Sequence, residues 1–441
     1  MTGSKFHLQV GGKSFLVDCG LFQGHKELRE RNWQALPFQP AGLEALLLTH
    51  AHIDHSGYIP RLVRDGFKGP IYCSEATADL CAILLPDSGH IQEDDAASAN
   101  RYGFARHQPA LPLYTEADAR TALTFFRPVA FGQPHMMTDE LRFTLSRAGH
   151  ILGASFIHVT AGDGTSVLFT GDIGRQNSPV MKPPARLQEA EYIVLEATYG
   201  DRLHQGEEPT GQIGEVVRRT VGRGGTLIVP AFAVGRTQDI LYHLWVLKST
   251  KRIPDVPVFL DSPMAIDATQ LLLKHRNEHR LSAQECSSVC AVARYARSVD
   301  ESKAINASTM PKIILSASGM ATGGRVLHHL KHYLGDFRNT VLLVGYQSPG
   351  TRGDRLARGD TTLKIHGHDW PVRAEIVQLD TLSAHADYAE ILSWLRNFRS
   401  PPRKLFITHG EPAAAQALQQ KIIHTFGWDA IVPRYGQSEE L

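Results

Sequence analysis

Thr49-His50-Ala51-His52-Ile53-Asp54-His55-Ser56-Gly57 follows an apolar run, 45–49, with the composition of a buried strand. Ser56 offers an N-cap to a helix that carries residues 59–63. Four potential metal ligands therefore fall within six residues, between a strand and a helix. In an extended loop alternate side chains share a side, so His50, His52 and Asp54 point together. His55 turns to the other side of the same place as the helix begins. Imidazoles and a carboxylate suit zinc, which takes about four ligands. This loop offers too many ligands, in too many orientations, for one ion, and two ions are the simpler reading. A histidine-rich surface loop has the same composition, but a buried strand and a helix start are poor flanks for one.

Further ligands have to come from other strand ends. Ala148-Gly149-His150-Ile151-Leu152-Gly153 places a histidine in a glycine-containing segment that permits close backbone approach. Phe169-Thr170-Gly171-Asp172-Ile173-Gly174 has a carboxylate after an apolar strand, and Ile407-Thr408-His409-Gly410-Glu411 has a histidine in the same position. Each is commonplace alone; the shared format of strand, small or short residue, ligand makes the set stronger. A competing cluster is His275, His279, Cys286 and Cys290, with i, i+4 spacings like a small structural zinc site. Its pairs are separated by only six residues, short for two ligand helices to fold back, and the surroundings read as helix.

The chain has 441 residues, 42% hydrophobic and 21% charged, with a net charge of +1, which suits a globular protein of one large unit or two joined ones. It is no strongly basic nucleic-acid coat, although a metal site and a local groove can hold phosphates without overall positive charge. Five cysteines, an odd and low number, argue against a disulfide framework and for a reducing cytoplasm. The first residues are polar and glycine-rich, without the apolar stretch of a signal peptide, and no run approaches the ~18 apolar residues of a membrane helix.

Strands are expected at 14–17, 45–49, 70–73, 166–170 and 192–196, with a helix at 75–85. A second block, from about 201 to 375, has strands at 226–230, 258–260, 312–316 and 341–344, with helices at 237–247 and from Gly323-Gly324-Arg325 to Tyr333. That is a doubly wound pattern. The last block has strands at 375–379 and 404–408 around a helix reaching Leu395. The one long linker candidate is 203–211.

The set His50-x-His52-x-Asp54-His55, His150 and Asp172 resembles the metallo-β-lactamase superfamily. Glu196-Ala197-Thr198-Tyr199-Gly200, PAFAVGRTQ at 230–238, Ser318-Gly319-Met320, Ser383-Ala384-His385-Ala386-Asp387 and Thr408-His409-Gly410 resemble its β-CASP branch. That branch contains bacterial RNA-processing nucleases, ribonuclease J and the endonuclease of eukaryotic pre-mRNA 3′-end processing. The resemblance covers nearly the whole chain, in order. It implies an α/β fold: an αββα sandwich built from residues 1–203 and 376–441, with a doubly wound β-CASP domain inserted at 204–375. Family members usually have a strand and a loop ahead of the segment that here is Thr2-Gly3-Ser4-Lys5, directly after Met1, so the first strand is expected to be missing, through either a misplaced start or a shortened edge.

Carried over residue by residue, the resemblance implies two zinc ions per chain, one held by His50, His52 and His150, the other by Asp54, His55 and His409, with Asp172 bridging. Asp18 would orient a ligand histidine; a turn residue before Cys19-Gly20 is an equal reading. His385 would be the general acid with Glu196 hydrogen-bonded behind it, the plainer alternative being a helix-start histidine. His385, Glu196, Asp54 and Asp172 then form the catalytic set. The paired ions would activate a water and neutralise charge building on phosphate oxygens. The inserted block would cover the site as a lid, with Ser318, Gly319, Arg325 and Arg236, together with Gly323, Gly324, Arg352 and Arg355, as candidate phosphate contacts. For any one of these arginines a solvated surface position is an equal reading. The implied substrate is single-stranded RNA. The alternatives are a small ester or thioester, which would need no such lid, and DNA, whose repair enzymes in this branch lack the histidine that stands here at 409. The sequence leaves a homodimer open and implies no membrane partner.

Overall fold

The computed structural model describes residues 3–103, 107–204, 206, 208–379 and 381–441. The chain forms two compact units, Met1–Leu203 with His385–Leu441, and His204–Ala384.

In the first unit, alternation of Phe6, Leu8 and Val10 with polar residues makes Phe6–Val10 an edge strand, a half-buried pattern with a period of two that the sequence reading passes over. It pairs antiparallel with Lys13–Val17, which continues in parallel through Leu43–Leu47, Ile71–Cys73 and Phe126–Pro128. Among the described residues no strand precedes Phe6, and Thr2 lies outside them. A second, seven-stranded sheet runs in the order Ala430–Ile431, Lys404–Thr408, Tyr192–Glu196, Ser166–Phe169, Ser155–Ala161, Leu141–Arg147, Pro134–Thr138. The two sheets share one core, in which Phe15, Val17, Ala45 and Leu47 of the first meet Phe143, Leu145, Ile157, Val159 and Phe169 of the second. Each of these side chains larger than alanine, fully buried, contributes roughly 1.5–3 kcal/mol. Helix Glu75–Tyr102 packs on the first sheet at Phe126–Pro128, and helix Pro412–Phe426 packs on the second at Lys404–Thr408. The result is the αββα sandwich.

Helix Glu75–Tyr102 runs well past the expected end at residue 85. Pro86 and Gly89 are punctuation in the sequence, but Gly89 lies against the backbone of Thr115 and Glu116, where a Cβ would come within 2.7 Å. Packing against helix Glu116–Leu123 carries the longer helix onward. Its start is tied to the site: the Ser74 hydroxyl caps the Thr77 N–H, and the hydroxyls of both donate to the carbonyl of Gly153.

The second unit holds a six-stranded parallel sheet in the order Arg294–Tyr295, Val258–Leu260, Ile313–Ser316, Leu227–Pro230, Thr340–Val344, Glu375–Leu379, and a separate antiparallel pair, Thr362–Ile365 with His368–Pro371. Leu227–Pro230, Ile313–Ser316 and Thr340–Val344 are buried throughout, the near-continuous apolar signature of a parallel sheet covered on both faces. Ile228, Ile314, Val341 and Leu343 pack with Val326, Leu327 and Leu330 of helix Val326–Tyr333. Glu375–Leu379, where the sequence reading set its boundary, pairs with Thr340–Val344 along its length, so this unit extends to Ala384. Of the linker candidate 203–211, residues 205 and 207 lie outside the described residues, and helix Pro209–Gly222 begins within it.

Residues 19–21 lie directly against the histidine-rich loop: Cys19 N–H donates to the His55 carbonyl and Leu21 N–H to that of Ile53. A Cβ on Gly20 would sit 1.6 Å from the Asp54 carbonyl oxygen, a backbone atom that cannot turn aside. Gly20→Ala is therefore expected to cost roughly 1–3 kcal/mol or more of stability through overpacking, read as a lower urea midpoint. Gly42→Ala, with nothing within 4 Å of its Cβ position, is the control and is expected to stay within about 0.5 kcal/mol. Equal midpoints for the two variants would refute the close approach.

Candidate metal centre

The site residues of the first unit stand just beyond the C-terminal end of a strand or in a loop held against one, except Asp54 and His55, which lie in the short helix Ile53–Ser56. Asp18 follows Lys13–Val17, His50 follows Leu43–Leu47, Asp172 follows Ser166–Phe169, Glu196 ends Tyr192–Glu196, and His409 follows Lys404–Thr408. The register Glu196↔Thr408 places the last two ends side by side. The His150 loop turns on Gly149 and Gly153, both with positive φ, and a Cβ on Gly153 would come within 2.4 Å of the Thr77 nitrogen.

The side chains converge in two groups. In one, His52 Nδ1 lies 3.1 Å from His50 Nε2 and 3.2 Å from His150 Nε2, and Asp172 Oδ2 lies 3.4 Å from both of those nitrogens. In the other, His55 Nε2 lies 3.0 Å from His409 Nε2, which is 3.2 Å from Asp54 Oδ2. Asp172 faces this group too, with Oδ1 3.2 Å from His55 Nε2. One carboxylate thus touches both groups through different oxygens.

Burial sets the electrostatics. It pushes the imidazoles of His50, His52 and His150 down, His52 to about 3, and keeps them neutral with a lone pair to offer. Burial opposes ionisation of Asp172, but His409, His55 and His50 outweigh it and hold the carboxyl well below the usual range. Asp54 is held down in the same way, chiefly by its hydrogen bond with His409. For His55, burial is outweighed by Asp172 and Asp18, which raise it.

The donor set fits a divalent cation. Among the described residues nothing hydrogen-bonds the buried Oδ1 of Asp172, and imidazole nitrogens face one another at 3.0–3.2 Å around it. Asp18, Asp54, Asp172 and Glu196 are all buried, and uncompensated carboxylates in such a place are costly. Nitrogen and oxygen donors without thiolate suit zinc and other first-row divalent metals.

The supporting groups lie one step out. Asp18, buried and in the left-handed region at φ 58, accepts from the Thr49 N–H at 2.8 Å, from the Thr49 hydroxyl, and from His55 Nδ1 at 2.7 Å. Thr49 Oγ1 also lies 3.1 Å from His50 Nδ1. Thr49 is a residue the sequence reading assigned no role, and only its place directly before His50 marks it. His385 Nδ1 lies 3.2 Å and 3.3 Å from the two carboxylate oxygens of Glu196. That carboxylate also accepts from the backbone N–H of Ile173 and of Thr198. Burial lowers the His385 imidazole, but Glu196 and Asp172 outweigh it and lift it to about 9. His385 packs against His150 on one side, with ring centroids 4.5 Å apart, and is stacked with Tyr199 at 6.0 Å.

The candidate phosphate contacts all belong to the other unit. Arg325 is committed within it: Nη1 donates to Asp261, which is fully buried, and to the Ala296 carbonyl, while Nη2 donates to the Arg297 carbonyl. That makes its guanidinium a structural clamp, with His329 on the other oxygen of Asp261. Arg352 donates to the carbonyls of Lys364 and Thr322, and Arg355 to Asp360. Arg236 opens helix Arg236–Ser249 beside Gly345, Ser318 bonds Thr322, and Gly319 lies against Phe232. Gly324 turns at φ 75 just ahead of helix Val326–Tyr333, and a Cβ on the neighbouring Gly323 would meet nothing within 4 Å. The competing cluster does not assemble as a four-ligand site among the described residues: His279 Nε2 bonds the Leu272 carbonyl, and Cys290 donates to Thr269. All five cysteines are unpaired.

Two sheets with a histidine–aspartate cluster at their strand ends are the frame of a metallo-hydrolase. Three family descriptions match in sequence order: Metallo-beta-lactamase superfamily over residues 7–207, Beta-Casp domain over 237–356, and Zn-dependent metallo-hydrolase RNA specificity domain over 369–433. Ribonuclease TTHA0252 of Thermus thermophilus is 34% identical, across 99% of this chain and 96% of its own length. Transcription termination factor FttA of Methanocaldococcus jannaschii is 29% identical, across 98% of this chain and 68% of its own. A solved structure from Enterococcus faecalis V583, described as a protein of unknown function, matches 98% of this chain and 95% of its own with a TM-score of 0.52 at 13% identity, a likeness of fold. The chain belongs to the β-CASP branch of the metallo-β-lactamase superfamily.

Proposed function

We propose that the chain is a zinc-dependent ribonuclease that hydrolyses phosphodiester bonds of single-stranded RNA. The observation that carries this reading is a histidine held by a buried glutamate, His385 on Glu196, beside a cluster whose central carboxylate faces two groups of imidazoles. The family description naming RNA specificity and the relative named a ribonuclease support RNA as the substrate. His50, His52 and His150 would hold one zinc ion, Asp54, His55 and His409 the other, and Asp172 would serve both. Zinc, when bound, supplies Lewis acidity toward phosphate oxygens and lowers the pKa of water toward neutrality.

The chain's own residues supply the proton. Glu196 engages His385 at Nδ1, so Nε2, on the far side of the ring, is the nitrogen that delivers. Glu196 raises the imidazole and favours its charged form, so His385 can give a proton to the departing oxygen as the P–O bond breaks. Glu196 fixes the tautomer and stabilises the charged ring. Five unpaired cysteines fit a reducing, cytoplasmic setting. Among the described residues no helix is long and apolar enough to cross a membrane.

Elemental analysis of protein purified without chelator is expected to find about two zinc ions per chain. Asp172→Ala should lose both more readily than His150→Ala, because one carboxylate serves two ions. Zinc near zero with activity intact would overturn the dinuclear centre.

In parallel assays, single-stranded RNA should be cut in preference to DNA of the same sequence. Equal or faster DNA cleavage would overturn the RNA assignment. Hydrolysis of a small thioester, with neither polymer cut, would point to a small-substrate enzyme.

His385→Ala should keep its zinc and lose roughly 10²–10⁴-fold in turnover, the usual contribution of proton donation. RNA binding should change little, because the ring acts mainly in the transition state. A nitrophenyl phosphodiester, whose leaving group needs no proton, should restore much of the rate. Glu196→Gln should show the same pattern more weakly. Loss of zinc, or an equal defect on both substrates, would remove His385 from the acid role.

A further inference from the structure

His409, like the other histidines of the cluster, needs its ring oriented. His55 is turned by Asp18 at Nδ1, and His50 has Thr49 at Nδ1. His409 arrives on the last long strand of the chain with its backbone in the left-handed region, φ 48, and both of its ring nitrogens face carboxylates. Nε2 lies 3.2 Å from Asp54 Oδ2, and Nδ1 lies 3.4 Å from Asp172 Oδ1. The carboxylates alone do not select which nitrogen carries the proton.

Thr198 does. Its Oγ1 lies 3.2 Å from His409 Nδ1 and 3.2 Å from the His409 carbonyl oxygen. A hydroxyl has one proton to give and lone pairs to offer. A carbonyl can only accept, so the hydroxyl proton goes there, and the same oxygen is left to accept from Nδ1–H. The surrounding backbone makes this contact rigid. Ala197 N–H donates to the same His409 carbonyl, and a Cβ on Gly410 would come within 2.5 Å of the Ala197 carbonyl, so the two strand ends are pressed together. The parallel pairing of Glu196 with Thr408 sets that register.

We infer that Thr198 is a positioning residue: it holds His409 in the Nδ1–H tautomer, so that the Nε2 lone pair faces Asp54 and His55 and completes the second half of the metal cluster. The inference rests on the reading of that cluster as a two-zinc centre. It also divides the work of the Glu196–Gly200 segment, in which Glu196 serves His385 and Thr198, two residues on, serves His409.

Thr198→Val keeps the shape of the side chain without its hydroxyl, and Thr198→Ser keeps the hydroxyl. Zinc affinity, measured by chelator competition on purified full-length chain, should resolve two ions in the wild type. In Thr198→Val one ion should be unchanged and the other should bind about 10–100-fold more weakly, the usual cost of losing such a partner. Thr198→Ser should restore the wild-type value. Urea unfolding of the zinc-free proteins separates this from a folding defect and should give similar midpoints for all three. Unchanged affinity for the second ion in Thr198→Val, or equal weakening of both ions, would overturn the role of Thr198 while leaving the two-zinc centre in place. A wild type that retains no zinc would overturn the centre, and the inference with it.

Discussion

The Asp172 carboxylate is the point on which the first unit converges. Its Oδ2 faces His50 and His150, and its Oδ1 faces His55. A buried carboxylate is tolerated only where charge compensates it. Compensation here requires ligands from three separate strand ends and one glycine-bounded loop to arrive within a few ångströms of one another. The two-sheet sandwich delivers that coincidence, because its strands end side by side and the core of Phe15, Leu47, Phe143 and Phe169 locks the sheets together beneath them.

The same convergence explains the local irregularities. Asp18 and His409 both adopt left-handed backbone conformations, which cost a residue with a Cβ on the order of 1–2 kcal/mol. Each is held there by bonds that serve the cluster: Asp18 to Thr49 and His55, His409 to Thr198 and the Ala197 N–H. Gly20 and Gly153 are required for a different reason, since neighbouring backbone passes where a Cβ would be. At these four residues, strain or close approach sits where side chains must be aimed, as expected of a site whose geometry is set in advance.

In the inserted unit the buried charge is structural. Asp261 lies at the end of Val258–Leu260, fully enclosed, and takes Arg325 on one oxygen and His329 on the other. Removing Arg325 would leave the buried carboxylate without its guanidinium, which is far costlier than the pair is worth. Arg325 shows how a glycine-flanked arginine near a helix start can look like a phosphate contact in sequence while its donors are spent inside the fold. Nothing local distinguishes the two uses; the partner lies more than sixty residues away, at Asp261.

Much was determined by the sequence itself. Strand runs such as Leu46-Leu47-Leu48 and Tyr192–Glu196 are apolar enough to be buried, and the spacing of His50, His52, Asp54 and His55 after a strand admits few uses other than metal. Those features are local, so period and residue type reveal them. The tertiary structure alone decided the rest. The helix from Glu75 continues through Pro86 because another helix packs against it, and Glu375–Leu379 joins the inserted sheet because Thr340–Val344 presents an open edge to it. Thr49 and Thr198 are ordinary residues by type. What they touch depends on Asp18, His50 and His409, which the folded sheets alone bring within 3.2 Å of them.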